Sequence, residues 1–429
     1  MVRRWLVHVI LPDVTIPSYT IDRIQRLISE VYFPKAAYDV TYSSTANLGQ
    51  YEGRFPGPVE VTRDAMLRDA DIVVVSERFA IPDISGKRIY RLEHNHWHVF
   101  LLLKTQAIDE RDYPLIKAHI YNQFAPSQGG SISVFFPFGY LFRQTAVGGP
   151  INEFGFRIPN DTSGLANRPR THKVIAILGG SSAYGYYQFF DETFGQLLQK
   201  QLQEFLDSRG DGETVTVLNF GQGAALVQHE MIVWLTYVDG LRPDVVISHD
   251  GANDLVYGLT AEPFALSRGI LAPHPFESWG QKLGDRMDVA PRFPARGLPP
   301  LNPPARIIQT YVDRKRQLDR IVRTSGARHV AAFVPFTTSK ALSAIEEEIL
   351  SDRRYADFPE LLPYVYRLVP LAQDALKACT DLDVLDLHAY FGRFGRDDTL
   401  FNDHGHTTPA GDRAIADAYF DYIVEKSLI

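Results

Sequence analysis

Along this chain, short continuous apolar runs alternate with apolar positions at helical spacing. Trp5 to Leu11 is a largely apolar run that reads as a first β-strand, after which Ile21, Ile24, Leu27, Ile28 and Val31 recur along one helix face. Tyr38 to Tyr42 predicts a second strand, Val61 to Ala70 a second helix, and the β-branched run Ile72 to Val75 a buried parallel strand. The alternation predicts an N-terminal α/β unit over residues 1–128. No Gly-rich phosphate loop follows any of its strands, so its residues declare no role.

Residues 129–170 break the rhythm with Gly, Pro and aromatics, including Phe135-Phe136-Pro137-Phe138 and Gly148-Gly149-Pro150. They read as a lead-in segment lying across a domain, too apolar for a free linker. From 171 to 429 the alternation resumes, with strands at Val174 to Leu178, Thr214 to Asn219, Asp244 to Ser248, His329 to Val334 and Asp383 to Leu387. Phe194, Leu197, Leu198, Leu202, Phe205 and Leu206 form one apolar helical stripe, and further helices are predicted at Ala305 to Arg323 and Pro409 to Lys426. Five short apolar strands separated by helices predict a doubly wound parallel sheet of the flavodoxin-like kind, preceded by the additional α/β domain. A proline-rich insertion, residues 255–304, interrupts it. Its Phe264, Phe276 and Trp279 suit a lid over an acyl or sugar group, and packing against the N-terminal unit is the competing reading.

Composition narrows the function. The 429 residues suit two compact units, and 45% hydrophobic with 22% charged residues suits a well-packed core. A net charge of −7 without any long Lys/Arg run argues against nucleic acid or an anionic membrane as an electrostatic partner. Cys379 is the only cysteine, so no intramolecular disulfide forms. Arg3-Arg4 before the first apolar run looks superficially like a signal peptide, but the run is short and no small-residue cleavage site follows. No stretch approaches the roughly 20 apolar residues of a transmembrane segment. A cytoplasmic location is expected. The charged run Glu346-Glu347-Glu348 reads as a solvated helix face.

The candidate chemistry sits at strand ends. Gly179-Gly180-Ser181 turns from a strand into a helix, where glycine admits backbone that a side chain would obstruct and the serine hydroxyl meets the carboxyl edge of the sheet. Alone, the motif is better read as a tight turn with Ser181 or Ser182 as helix cap. The next strand ends in Asn219-Phe220-Gly221 and the one after in Gly251-Ala252-Asn253-Asp254, with His249 and Asp250 just before as candidates for the pocket lining. Asp403-His404-Gly405-His406 precedes the last helix.

In that order the four blocks resemble the SGNH (GDSL-like) superfamily of serine esterases and acyltransferases: Gly-x-Ser with Gly185 beyond it, a block glycine, Gly-x-Asn-Asp, and Asp-x-x-His. The resemblance runs from about Lys173 to Ile429, and Asn152-Glu153-Phe154-Gly155-Phe156-Arg157 is similar to a segment upstream in some bacterial members. It implies Ser181 as nucleophile, His406 as base and Asp403 as its orienting acid, with the oxyanion met by the backbone N–H groups of Ser181 and Gly221 and the Asn253 amide. Gly180 departs from the GDSL wording, which has Asp there. Only Ser181 puts Gly185 at the family spacing, which disfavours Ser182. Asp-x-x-His selects His406 over His404.

The expected activity is cleavage of a small-molecule or carbohydrate ester through an acyl-enzyme, without cofactor. Acyl transfer to an alcohol by the same triad, and a binding protein with a vestigial triad, are the alternatives. His94, His96 and His98 would share one strand face, which suits zinc, but no nearby carboxylate or cysteine cluster completes such a site. A polar strand face is the favoured reading. Tyr184, Tyr186, Tyr187, Phe189 and Phe190, just past Ser181, suit either a pocket lining or the core.

Overall fold

The computed structural model describes residues 4–105 with breaks (the longest 77–87), strands at 133–136 and 139–142, and residues 152–429 apart from 260–300, 352–361 and a few isolated positions. The chain divides into two compact units, Met1–Ser131 with Gln144–Gly148, and Ile132–Arg143 with Gly149–Ile429.

The first unit runs β1 (Trp5–Ile10), α1 (Ser18–Arg26), β2 (Tyr38–Ser44), β3 (Val59–Val61), α2 (Asp64–Asp69), β4 (Ile72–Ser76), β5 (Arg88–His96) and β6 (Phe100–Thr105). The sheet order is β3-β2-β1-β4-β5-β6, parallel except for the β5–β6 pair. Ile10, Val73 and Val75 pack against Leu67 and Ala70 of the α2 segment, which is why these strands read as apolar runs. His8 is the one polar interruption in β1. It is buried and hydrogen-bonds Thr41 Oγ1 and Ser43 Oγ on β2, both at 2.8 Å, and burial lowers its pKa so that the ring stays neutral. His94 and His96 lie on β5, where the register against β6 shifts between them; His98 lies outside the described residues.

Within the lead-in stretch, β7 (Ser133–Phe136) and β8 (Gly139–Phe142) form an antiparallel hairpin. The second unit then follows with β9 (His172–Gly179), α3 (Ser181–Tyr184), α4 (Phe194–Arg209), β10 (Thr214–Asn219), α5 (Val227–Val233), β11 (Val245–Asp250), α6 (Ala252–Gly258), α7 (Pro304–Thr324), β12 (Arg328–Phe333), α8 (Ala344–Ser351), α9 (Leu362–Lys377), β13 (Val384–Asp386), α10 (Leu387–Phe391) and α11 (Pro409–Glu425). Strand β8 lies against α5.

All five strands of the second sheet are parallel, in the order β10-β9-β11-β12-β13. The fold is therefore α/β and doubly wound, with the order reversing between β9 and β11. Strand periodicity explains both faces. Val174, Ala176 and Leu178 point into one core, shared with α5, α7 and α9, while Ile175 and Ile177 point into the other, shared with α4, α10 and α11. Burial on both faces is what makes β9 continuously apolar, each large aliphatic side chain contributing roughly 1.5–3 kcal/mol. The α4 stripe packs as its spacing predicts, with Phe194, Leu198, Leu202 and Leu206 buried and Leu197 and Phe205 at the margin.

Two expectations are corrected here. Glu346 is not on a solvated face: its side chain is 1% exposed and paired with Lys340. His249 and Asp250 do not line a pocket. His249 is core, its Nδ1 on Tyr419 Oη at 2.8 Å and its ring 4.7 Å from that of Phe194. Burial, helped by Lys315, pushes its pKa to about 3. Asp250 is buried against Lys315 Nζ at 2.7 Å and Tyr311 Oη at 2.9 Å. The insertion beyond Leu259 and up to 300, with Phe264, Phe276 and Trp279, lies outside the described residues. No helix among the described residues is long and apolar enough to cross a membrane.

Candidate active site

Strand β9 delivers the chain to the carboxyl edge of the sheet at Gly179, and Ser181 opens the one-turn helix α3. Gly180 lets the Asn253 side chain approach closely: a Cβ there would lie 2.5 Å from Asn253 Nδ2, so the amide would have to move. The amide of Asn253 thus occupies the space beside the turn.

The second part of the site is a loop pinned at both ends. Phe401 and Thr407 pair as an antiparallel bridge, and Asn402 N donates to His406 O at 2.8 Å. At its tip, Asp403 Oδ1 accepts from the N–H groups of Gly405 (2.9 Å) and His406 (2.8 Å), and Asp403 Oδ2 meets His406 Nδ1 at 2.6 Å. His406 Nε2 in turn meets Ser181 Oγ at 2.7 Å. Hydroxyl, imidazole and carboxylate therefore form one hydrogen-bonded line across the top of the sheet. The rivals fall outside it. His406 bonds Ser181 and not Ser182, and His404 Nδ1 stands 3.9 Å from Asp403 Oδ1, beyond hydrogen-bond reach.

Electrostatics support the same polarity. Burial alone would raise the Asp403 carboxyl, but the charges of His406 and His404 and its hydrogen bonds outweigh this and hold it well below the ordinary carboxylate range. Burial likewise opposes charge on His406, yet the Asp403 carboxylate, with a contribution from Asp412, raises its pKa above that of a free imidazole.

The oxyanion side needs one amendment. Asn253, in the first turn of α6, donates through Nδ2 to Ala225 O at 2.8 Å, and that nitrogen still carries a second hydrogen. Gly221 does not offer a free donor. Its N–H goes to Asn219 Oδ1 at 2.9 Å, and a Cβ on it would strike Tyr184 N at 2.4 Å, so it is packed beneath α3. Gly223 differs: its N–H bonds no described residue, and the space around its Cα is open. The loop carrying it is held beside the turn by Gln222 N donating to Gly179 O at 3.0 Å. The pattern Asn219-Phe220-Gly221-Gln222-Gly223 holds two glycines, and the N–H of the first is already engaged.

Two supports escaped the sequence reading. Arg157, of the lead-in stretch, bridges to Asn219 and is almost fully buried. Its guanidinium donates to the carbonyls of Tyr184, Gly185 and Gln188, tying down the chain just past Ser181, between the rings of Tyr184 and Phe190. Phe189 is core; Tyr186 and Tyr187 lie outside the described residues. Lys315 lies beneath the sheet edge, donating to Ser248 O, Ser248 Oγ, Asp250 Oδ2 and Ala332 O. Among the described residues no group of three or more His, Cys, Asp or Glu side chains could hold a metal ion.

A serine at a strand-to-helix turn, with His and Asp on the loop before the last helix of a doubly wound sheet, is the arrangement that the SGNH resemblance implies. No protein-family model and no curated protein matches this sequence. Among solved structures, the chain is similar to an alpha/beta hydrolase enzyme from the metagenome of Lake Arreo, Spain, at 15% identity over 58% of this chain and 94% of that one, with a TM-score of 0.35. It is also similar to an acetylxylan esterase from Geobacillus stearothermophilus (13% identity, 58% and 94% covered, TM-score 0.34). A lipase/acylhydrolase from Enterococcus faecalis is a third, at 16% identity, with 59% and 96% covered and a TM-score of 0.35.

Proposed function

We propose that this chain is an SGNH-type serine esterase that cleaves the ester of a small acylated compound through an acyl-enzyme. The observation that carries the reading is the unbroken line from Ser181 Oγ to His406 Nε2, at 2.7 Å, and from His406 Nδ1 to Asp403, at 2.6 Å. In the first half-reaction His406 takes the Ser181 proton as Oγ bonds the acyl carbon, and the carbonyl oxygen becomes an oxyanion. Collapse of the tetrahedral intermediate breaks the ester C–O bond, with the proton passing from His406 to the leaving alkoxide. Water repeats the sequence on the acyl-enzyme and releases the acid. Asp403 keeps its negative charge throughout and stabilises the imidazolium. The oxyanion is met by Ser181 N–H, the free hydrogen of Asn253 Nδ2 and, in place of Gly221, the Gly223 N–H. The test is labelling with a fluorophosphonate serine probe followed by peptide mapping. Modification of Ser181 together with hydrolysis of a small ester is expected, with O-acetylated sugars as the first larger substrates to try. A protein that neither labels nor turns over any ester would leave the triad vestigial.

Two further outcomes follow from the geometry. Asn253→Ala should lower kcat by about 10²–10³-fold, because the amide is needed most when charge develops on oxygen. If KM rises and kcat does not change, Asn253 is a ground-state contact instead. The pH profile of kcat/KM should also carry a mark. His406 must be neutral to accept a proton, and its pKa is raised by Asp403, so activity should fall as pH drops through a value above that of an ordinary imidazole. An acid limb at or below the free imidazole value would contradict the Asp403–His406 coupling.

A further inference from the structure

The loop that bears Asp403 and His406 begins at a buried carboxylate outside the site. Glu346 Oε1 accepts from the N–H of Leu400 at 2.7 Å and of Phe401 at 3.0 Å. Its other oxygen accepts from Lys340 Nζ at 2.6 Å and from Ser343 N at 2.7 Å. The Lys340 and Glu346 side chains are 0% and 1% exposed. Part of this arrangement is ordinary helix capping: Ser343 Oγ accepts from Glu346 N at 3.2 Å while Glu346 returns a bond to Ser343 N, the reciprocal box that starts α8. Capping uses only Oε2. Burying a carboxylate and an ammonium for a cap alone would be poor stability engineering, since desolvation offsets most of the attraction between them. Oε1 has a separate task, with two backbone N–H groups converging on it across more than fifty residues of chain.

Those N–H groups belong to the strand-like arm that leads directly to Asp403. The opposite arm is tied by Thr408 N to Leu400 O at 2.8 Å and by Gln188 Nε2 to Thr407 O at 2.5 Å, and the tip by Thr337 N to His404 O at 3.2 Å. Without Glu346 the first arm would keep its bonds to the second, the Thr399 Oγ1–Ser343 Oγ bond at 3.0 Å and the packing of its buried Leu400 and Phe401 side chains, but the two backbone N–H groups next to Asn402 and Asp403 would lose their shared acceptor. That backbone could then relax, and Asp403 and His406 with it, relative to Ser181, which opens a different element. We propose that Glu346, held by Lys340, is a positioning residue for the Asp403–His406 pair, gripping the backbone that opens their loop. The inference rests on the esterase reading for its kinetic consequence but not for its structural one.

Glu346→Asp keeps the charge and the ion pair with Lys340 but shortens the reach to Leu400 and Phe401 by one methylene. Glu346→Gln keeps the length but sets an amide NH₂ against either Lys340 or the two N–H groups. Both variants should lower kcat on a small ester by about 10–100-fold, with KM changed less than about two-fold, the scale expected when catalytic groups are misplaced by an ångström or so. In both, the His406 imidazole, titrated by NMR without substrate, should move towards the free imidazole value as Asp403 loosens; Asp412 and His404, the other titratable groups near it, are unaltered. Loss of thermal stability with kcat per labelled site and the His406 titration both unchanged would make Glu346 a structural cap and overturn the proposal. Should the Gln variant not fold, the Asp variant decides alone. The two readings fail separately. A wild-type protein without Ser181-dependent turnover sinks the esterase reading, while the NMR titration still judges Glu346. Intact turnover in the variants sinks only the positioning role.

Discussion

Replacing Ser181 with alanine should reduce ester turnover by about 10⁶-fold and abolish fluorophosphonate labelling while leaving the fold intact, by analogy with other serine triads. Among the described residues the hydroxyl's one hydrogen bond is to His406 Nε2, so its removal strands no buried backbone group there. The imidazole is left with its Asp403 contact and no nucleophile to activate. The comparison that sharpens the result is Ser182→Ala, which should retain most of the activity because His406 is not bonded to that hydroxyl. Near-normal turnover by Ser181→Ala, with loss in Ser182→Ala, would reverse the assignment of the turn.

Asp403→Asn should cost about 10⁴-fold in kcat with little change in KM, on the precedent of such substitutions in serine triads. The reason is legible in its hydrogen bonds. Asp403 Oδ1 accepts from two backbone N–H groups, so an asparagine would keep its carbonyl there and turn its NH₂ towards His406 Nδ1. That forces Nδ1 to accept, places the imidazole proton on Nε2, and presents a donor where Ser181 needs a base. The acid limb of the pH profile should fall to lower pH at the same time, since the charge that raises His406 is gone. A variant with wild-type kcat would mean that Asp403 only shapes the loop.

Much of the second unit is legible in the sequence because its sheet is buried on both faces. The runs at Val174, Asp244 and His329 are continuous for that reason, while the edge strands at Thr214 and Asp383 are less buried, and the strand ends then point to the glycines and Asn253. In the first unit, β5 is legible only at its end, where His94 and His96 alternate, because Arg88 to Glu93 mixes charged and apolar residues without a clear apolar run. Residue patterns also cannot tell which N–H in Asn219-Phe220-Gly221-Gln222-Gly223 is already bonded; the Asn219 side chain decides it by closing on Gly221. Buried charge is the third blind spot. Glu346 sits in a run of three glutamates and Lys315 between two arginines, so each looks solvated until tertiary partners appear. Ser343-x-x-Glu346 does carry the capping-box spacing, the one local signal that set this glutamate apart from its neighbours.

The β7–β8 hairpin lies against α5 and belongs to the second unit, yet the units' segments alternate along the chain around it. The hairpin therefore sets where the chain can be recombined. A breakpoint after Phe142 would leave α5 without the hairpin that lies against it, whereas one ahead of Ser133 carries hairpin and sheet together.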